Sequence, residues 1–121
     1  MLMNVESFVA ELVERFPELR GTYDAHIENM GGELLAHALF WDVTNEVVAS
    51  YLGEAEPPAV DWRTLILFLE ESYADGDIDV RKVIVTSFLL YLPFPQQPGH
   101  AIATFLGPRL AERFRVARPD G

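Results

Sequence analysis

The chain contains no cysteine, and this absence removes several kinds of chemistry at once. Without a thiol there is no disulfide, no thiolate nucleophile, no zinc site with cysteine ligands and no iron–sulfur cluster. Disulfides are also the usual staples of small secreted domains, so their absence favours a cytoplasmic protein. Residues 1–6 lack the basic and apolar regions of a signal peptide, and we therefore expect no export signal.

Basic residues and long apolar runs are also scarce. Nine Lys and Arg stand against 19 Asp and Glu, for a formal net charge of −10. A protein that grips nucleic acid by neutralising phosphates needs the opposite balance, so we expect no nucleic-acid partner. The longest apolar stretch, residues 83–92, ends at Pro93 and is far shorter than the ~20 residues that span a bilayer. We therefore expect a soluble protein that does not bind membranes.

The apolar residues that are present suffice for one core and recur at helical spacing. Half of the 121 residues are hydrophobic, and this length is typical of one domain, so residues 1–121 are predicted to form a single domain. Asn4, Asp42, Asp61 and Asp77 are predicted N-caps. Helices are predicted over 5–16, 18–30, 33–40, 43–52, 62–75, 80–92 and 102–114, the last of them broken at Gly107-Pro108.

The stretch Val83-Ile84-Val85-Thr86 is β-branched, which also suits a buried strand. However, the run from Asp77 to Pro93 is longer than most strands, and no alternating segment elsewhere offers a partner. We therefore expect a helix that is surrounded on all sides by the core. The predicted class is all-α: a single compact helical domain of about five to seven helices, built from stacked helical hairpins.

The charge is unevenly distributed along the chain. Residues 1–80 contain 17 acidic and three basic residues (3 − 17 = −14), whereas residues 81–121 contain two acidic and six basic ones (6 − 2 = +4). One interpretation is that the acidic surface keeps the protein soluble while the C-terminal arginines pair internally with acidic helices; the other is an acidic face that docks a basic protein. The residues predicted for such a face are Glu28, Glu33, Asp42, Glu46, Glu54 and Glu56, with Trp41 or Tyr51 as aromatic anchors.

Trp41 can also be explained without a partner. It lies at a predicted helix junction, where a tryptophan usually fills the gap between helices. Core packing is therefore the favoured interpretation of this residue, and an exposed anchor is the alternative.

Motifs for catalysis and metal binding are weak. His26, Glu28, Glu33 and His37 are the one plausible ligand set, but they match neither the H-E-x-x-H nor the paired E-x-x-H pattern. No serine has a G-x-S-x-G setting, and the hydroxyl of Ser87 is expected to bond a preceding helical carbonyl. We therefore expect no enzyme, no metal and no cofactor. A metal-dependent hydrolase around His26, Glu33 and His37 is kept as an alternative.

The second half of the chain carries the pattern Gly76-Asp77-x-x-Val80-Arg81-x-x-Ile84-x-x-Ser87-Phe88-Leu89-x-x-Leu92-Pro93, followed by Leu106-Gly107-Pro108-x-Leu110. This pattern resembles a bacterial family of small acidic domains of unknown function and, more loosely, the helix pair of a HEAT-like repeat. The resemblance implies stacked helical hairpins and, as in some such families, an immunity protein that binds a cognate toxin.

These observations lead to one main functional hypothesis and two alternatives. The main hypothesis is a non-catalytic protein-binding domain, an immunity protein that neutralises a basic bacterial toxin through an acidic face. The first alternative is a scaffold module that self-associates, with the acidic part of one copy against the basic tail of another. The second is the metal-dependent hydrolase described above.

Overall fold

The computed structural model describes residues 2–121, whose regular structure is helical. Helix α5 continues directly into a π-helical turn at Val85–Leu89, and the β structure within 2–121 is one isolated bridge, between Met3 and Gly76. The predicted all-α class is therefore confirmed. No helix in the described part of the chain has the length and apolar character that crossing a membrane requires. The helices are α1 Val5–Arg15, α2 Arg20–Asn29, α3 Ala36–Leu52, α4 Trp62–Asp75, α5 Ile78–Ile84 and α6 Pro108–Ala117, with short 3₁₀ helices at Pro17–Leu19 and His100–Phe105.

Three of the predicted N-caps are confirmed. Asn4, Asp61 and Asp77 each accept a hydrogen bond from the backbone amide three residues ahead, at 2.9, 3.2 and 2.9 Å. Asp61 accepts a second bond, from the Thr64 hydroxyl at 2.7 Å, and the two bonds lower the pKa of Asp61 below its ordinary value. These caps fix the start of α1, α4 and α5.

The prediction of two helices in residues 33–52 is wrong: Ala36–Leu52 is one continuous helix. Asp42, predicted to be an N-cap, lies inside it with its side chain exposed. An aspartate costs a helix interior only about 0.5 kcal/mol, whereas α3 buries Phe40, Val43 and Val47 on its opposite side, so packing outweighs the local signal. Gly53, with φ of 73°, ends the helix where the sequence predicts.

The core forms where α1, α3 and α4 meet the α5 segment. The ring of Phe8 stacks against Phe40 and Phe68, with centroid separations of 5.3 and 5.8 Å. Phe88, in the π-helical turn, is fully buried. The hydroxyl of Thr44 on α3 lies 2.7 Å from the carbonyl of Phe40 and 2.8 Å from that of Ser87, so it ties α3 to the π-helical turn.

The segment after Ile84 is helical, as predicted, but it is not surrounded on all sides. Leu90 and Tyr91 are 41% and 47% exposed, because the π-helical turn ends at Leu89 and the chain then runs along the surface. The side chain of Ser87 also differs from expectation. Its hydroxyl lies 3.1 Å from Nδ1 of His37 and makes no bond to a preceding carbonyl within the described chain.

Glu70 holds the beginning of α6. Its buried carboxylate accepts hydrogen bonds from the amides of Arg109 and Leu110, both at 3.0 Å, and lies 3.4 Å from the Arg109 guanidinium. A Cβ on Gly107 would come within 2.7 Å of this carboxyl group. The predicted break at Gly107-Pro108 is therefore confirmed: Gly107 leaves room for Glu70, and Pro108 opens α6 without an amide to satisfy.

Phe88→Ala is expected to lower the free energy of unfolding by about 3–5 kcal/mol, because it leaves a cavity at the centre of the core. The matched control is Leu90→Ala, two residues away on the exposed side, with an expected loss of about 0.5 kcal/mol. Urea unfolding of both variants measures the difference. Similar losses for the two variants would contradict the placement of this segment.

Glu70→Ala is expected to cost about 2 kcal/mol or more, because two amides at the start of α6 lose their buried acceptor. The control is Glu71→Ala, at the exposed residue next to Glu70, which is expected to change stability by less than about 0.5 kcal/mol. Thermal unfolding followed by circular dichroism tests this pair. If Glu70→Ala were as stable as Glu71→Ala, the carboxylate would not be what caps α6.

Candidate binding face

Four of the predicted acidic residues lie along one side of α3 and the loop that follows it. Two depressions of about 330 and 380 Å³ share Asn45 and Glu46 in their walls. The first also contains Asp42 and is closed on the other side by α2, and the second reaches the loop after Gly53. We call this strip the acidic groove and define it by Asp42, Asn45, Glu46, Glu54 and Glu56.

The carboxylates of the acidic groove have no cation beside them. Within residues 2–121, ion pairs at 4.0 Å or less join Arg15 to Glu11, Arg109 to Glu70 and Arg115 to Glu112, and none involves the groove. No Lys or Arg lines either depression. The groove thus concentrates negative charge that the fold does not neutralise.

The C-terminal arginines are engaged elsewhere, so the internal-pairing interpretation accounts for little of the acidity. Arg109 reaches Glu70, while Arg115 pairs with Glu112 in its own helix. Arg118 is buried and donates hydrogen bonds to four backbone carbonyls, those of Leu89, Leu92, Pro93 and Gly121. Its burial lowers its pKa, and the rings of Phe94 and Phe114 lie 4.4 and 4.9 Å from its guanidinium carbon.

Trp41 is exposed, so the favoured interpretation of this residue as a core filler is wrong. It is 47% exposed, and its ring stacks on that of Tyr91 with a centroid separation of 6.3 Å. The cause is the continuity of α3: with no helix junction at this point, there is no gap to fill. The helical repeat places Asp42 about 100° and Glu46 about 140° around α3 from Trp41. The exposed side of the helix therefore runs from Trp41 at one edge to the carboxylates of the acidic groove at the other.

An apolar depression of about 530 Å³ adjoins Trp41 at the N-terminal end of α3. Its walls combine the loop before α3, the first turns of α3 and one side of α5. Two polar side chains, His37 and Asp79, reach it. We call it the Trp41 recess and define it by Val5, Leu34, Leu35, Ala36, His37, Ala38, Trp41, Asp79 and Val83.

The ring of His37 is fixed by hydrogen bonds from one side. The Thr86 hydroxyl donates to the carbonyl of Lys82 at 2.7 Å, so toward Nδ1 of His37, 2.9 Å away, it can only accept. The Ser87 hydroxyl lies 3.1 Å from the same nitrogen. Nε2, the other ring nitrogen, makes no hydrogen bond to residues 2–121 and is left for a ligand or water.

The remaining predicted residues are not brought to this site. Tyr51 is half-buried, with its ring 4.9 Å from that of Trp62 and 6.0 Å from that of Phe105, and it lines neither the acidic groove nor the Trp41 recess. Glu28 on α2 and Glu33 in the loop before α3 are exposed, but neither lines the acidic groove or the Trp41 recess.

The alternative ligand set does not assemble either. Nε2 of His26 accepts a hydrogen bond from the Leu35 amide at 3.0 Å, and Nδ1 of His37 is used by Thr86. No group of three or more possible ligands gathers anywhere in residues 2–121. The sequence pattern His26, Glu33, His37 thus corresponds to one buried histidine that holds the Leu35 amide, one exposed histidine and one exposed carboxylate.

The sequence reasoning missed the recess because its walls come from distant parts of the chain. Asp79 and Val83 belong to α5, more than thirty positions after Trp41. One local signal was available: Leu34-Leu35 lies one residue after Gly31-Gly32, whose φ angles are 67° and 90°. A tight turn next to two leucines indicates apolar side chains held at the surface by a fixed loop.

His26→Phe is expected to cost about 1–3 kcal/mol of stability, because the Leu35 amide loses its buried acceptor. Hydrogen exchange of the Leu35 amide should accelerate about tenfold or more. His26→Gln retains an acceptor at a similar reach and should preserve more of the protection. Unchanged Leu35 exchange in His26→Phe would show that His26 does not hold the loop.

The comparisons with known proteins identify a family and no individual relative. No curated protein and no solved structure matches the chain at a significant level. A family model described as a domain of unknown function, DUF7674, matches residues 9–116, which includes every α-helix in whole or in large part. This match also confirms the resemblance to small helical domains of unknown function. The chain therefore belongs to the DUF7674 family.

Proposed function

We propose that the chain is a non-catalytic protein-binding domain that takes a basic protein partner on the exposed side of α3. The observation that carries this proposal is a set of four carboxylates without a cation partner, two on α3 and two in the loop after it, together with an exposed tryptophan on α3. Surface carboxylates without partners raise the rate of encounter with a basic protein. An exposed aromatic ring that becomes desolvated in the complex prolongs its lifetime.

The specific form of this proposal is an immunity protein whose basic partner is a toxin. Opposite charge raises the association rate between an acidic inhibitor and a basic toxin. Fast association matters because the toxin must be bound before it reaches its target. The direct test is co-expression with a toxin encoded in the adjacent gene. Survival that requires the intact acidic groove supports this form, whereas equal survival with the groove charges reversed contradicts it.

A second candidate function is self-association through α6. This helix exposes Arg113 and Val116, and Arg113 has no carboxylate within 4.0 Å in the described chain. The acidic groove of one copy could then receive α6 of another, with complementary charge. Sedimentation at increasing ionic strength separates the two candidates: oligomers that dissociate with salt favour self-association, and a monomer at every salt concentration favours a different partner.

Binding of a basic helix is expected to depend on the groove and not on net charge alone. We use a Lys–Ala helical peptide of about 16 residues as the probe, a length that spans the roughly 22 Å from Ala38 to Gly53 along α3. The variant Glu46→Lys/Glu54→Lys should bind at least about tenfold more weakly than the wild type, mainly through a lower kon. Stopped-flow fluorescence and isothermal titration measure the change.

The matched control is Glu14→Lys/Glu71→Lys, which reverses two exposed carboxylates that also lack ion pairs. Both double variants change the net charge equally, from −10 to −10 + 4 = −6. At about 0.1 M salt the screening length is about 10 Å, so distant reversals should weaken binding less than about threefold. Equal weakening by both variants, or no binding by the wild type, would contradict the proposal.

A further inference from the structure

We infer that the Trp41 recess is the pocket for one large apolar side chain, such as leucine, presented by a helix of the basic partner. This inference rests on the proposed function and adds to it the chemistry of the partner: a basic amphipathic helix with a single apolar anchor. The acidic groove would take its lysines and arginines, and the recess would take the anchor.

The recess has the size and lining of a pocket for an apolar group. Its volume of about 530 Å³ leaves ample room for one aliphatic side chain. Most of its wall is aliphatic or aromatic, and Leu35 and Trp41 are 46% and 47% exposed at its edge. Covering them removes apolar surface from water, which favours binding.

The walls of the recess are held in place before any partner arrives. The Leu35 backbone is fixed by its hydrogen bond to buried His26, and the ring of Trp41 stacks on Tyr91. The ring of His37 is fixed by Thr86 and presents a free Nε2. A pocket with fixed walls loses little conformational entropy on binding, which distinguishes it from a mobile apolar patch.

Charge complementarity identifies the occupant. Asp79 lies in the recess, and Asp42 is one residue from Trp41 at the start of the acidic groove. No Lys or Arg lines the recess or the groove. An apolar anchor flanked by cations fits these surroundings, whereas one flanked by carboxylates would be repelled.

The path along α3 sets the spacing between the anchor and the cations. From Ala38 in the recess to Glu46 in the groove the helix rises about 12 Å, and Gly53 lies about 10 Å further. A partner helix laid along this path places its anchor near one end and its basic residues over the next three turns. A basic helix of about 16 residues with an apolar residue near one end matches this geometry.

The experiment compares two probes on three proteins. The probes are the Lys–Ala helical peptide and the same peptide with one leucine in its first turns. The proteins are the wild type, Ala38→Leu, which places a larger side chain in the recess, and the groove variant Glu46→Lys/Glu54→Lys. Affinities are measured by isothermal titration at about 0.1 M salt. Trp62→Phe in each background leaves Trp41 as the sole tryptophan, so that its fluorescence reports on the recess directly.

The wild type should bind the leucine peptide about tenfold more tightly than the alanine peptide, with a change in Trp41 emission. In Ala38→Leu this preference should disappear while the affinity for the alanine peptide stays the same. In the groove variant both affinities should fall, with the preference retained. Leu35→Ala, which removes part of the recess wall, provides a second test should Ala38→Leu fold poorly, and it should reduce the preference.

The recess inference and the proposed function can be contradicted separately. Equal affinities of the wild type for both peptides, or a preference unchanged by Ala38→Leu and by Leu35→Ala, would overturn the recess as the anchor pocket. Binding that is insensitive to Glu46→Lys/Glu54→Lys would overturn the proposed function itself. Self-association that blocks both peptides, seen in sedimentation of the wild type, would assign this surface to a second copy and overturn the inference.

Discussion

The one-sided burial of α3 is the constraint on which the rest of the structure depends. Phe40, Val43 and Val47 face the core, and Thr44 joins the helix to the π-helical turn after α5. Because a helix rotates about 100° per residue, burying these positions leaves Trp41, Asp42 and Asn45 outside. The acidic groove and the Trp41 recess are therefore consequences of how α3 packs and need no separate scaffold.

The loops around α3 complete the site with polar contacts that lie beneath the surface. His26 on α2 fixes Leu35, and Thr86 fixes His37. Elsewhere in the fold, Glu70 and Arg118 satisfy buried amides and carbonyls, which is why these charged residues are structural. Charge that stabilises the fold is thus buried and bonded, whereas the charge that we propose for partner binding is accessible to solvent and has no cation beside it.

The features that could be predicted from the sequence are those fixed by neighbours in the chain. Asn4, Asp61 and Asp77 act on amides three residues ahead, and Gly107-Pro108 breaks the helix at its own position. Such features follow from local stereochemistry, which is why the helical class was predictable.

Features that depend on distant partners were not predictable. Glu70 caps an amide 39 positions away, and His37 meets Thr86 across 49 positions, so neither contact has a local signal. The position of Asp42 inside α3 was also not predictable, because burial of the opposite side of the helix outweighs its capping preference. The exposure of Trp41 follows from the same continuous helix. Four of the six predicted carboxylates share the groove because they follow α3, while Glu28 and Glu33 lie elsewhere.

The central claim is that a basic helix binds along the exposed side of α3. The most direct test is a ¹H–¹⁵N NMR titration of the intact protein with the leucine-bearing Lys–Ala peptide, in which every amide and the two tryptophan indoles report separately. We expect the shifts to concentrate in residues 34–46 and 54–56 and at the Trp41 indole, with little change at Trp62. Shifts spread evenly over the acidic residues of α1 and α4 would contradict this claim, because the peptide would then be responding to net charge alone.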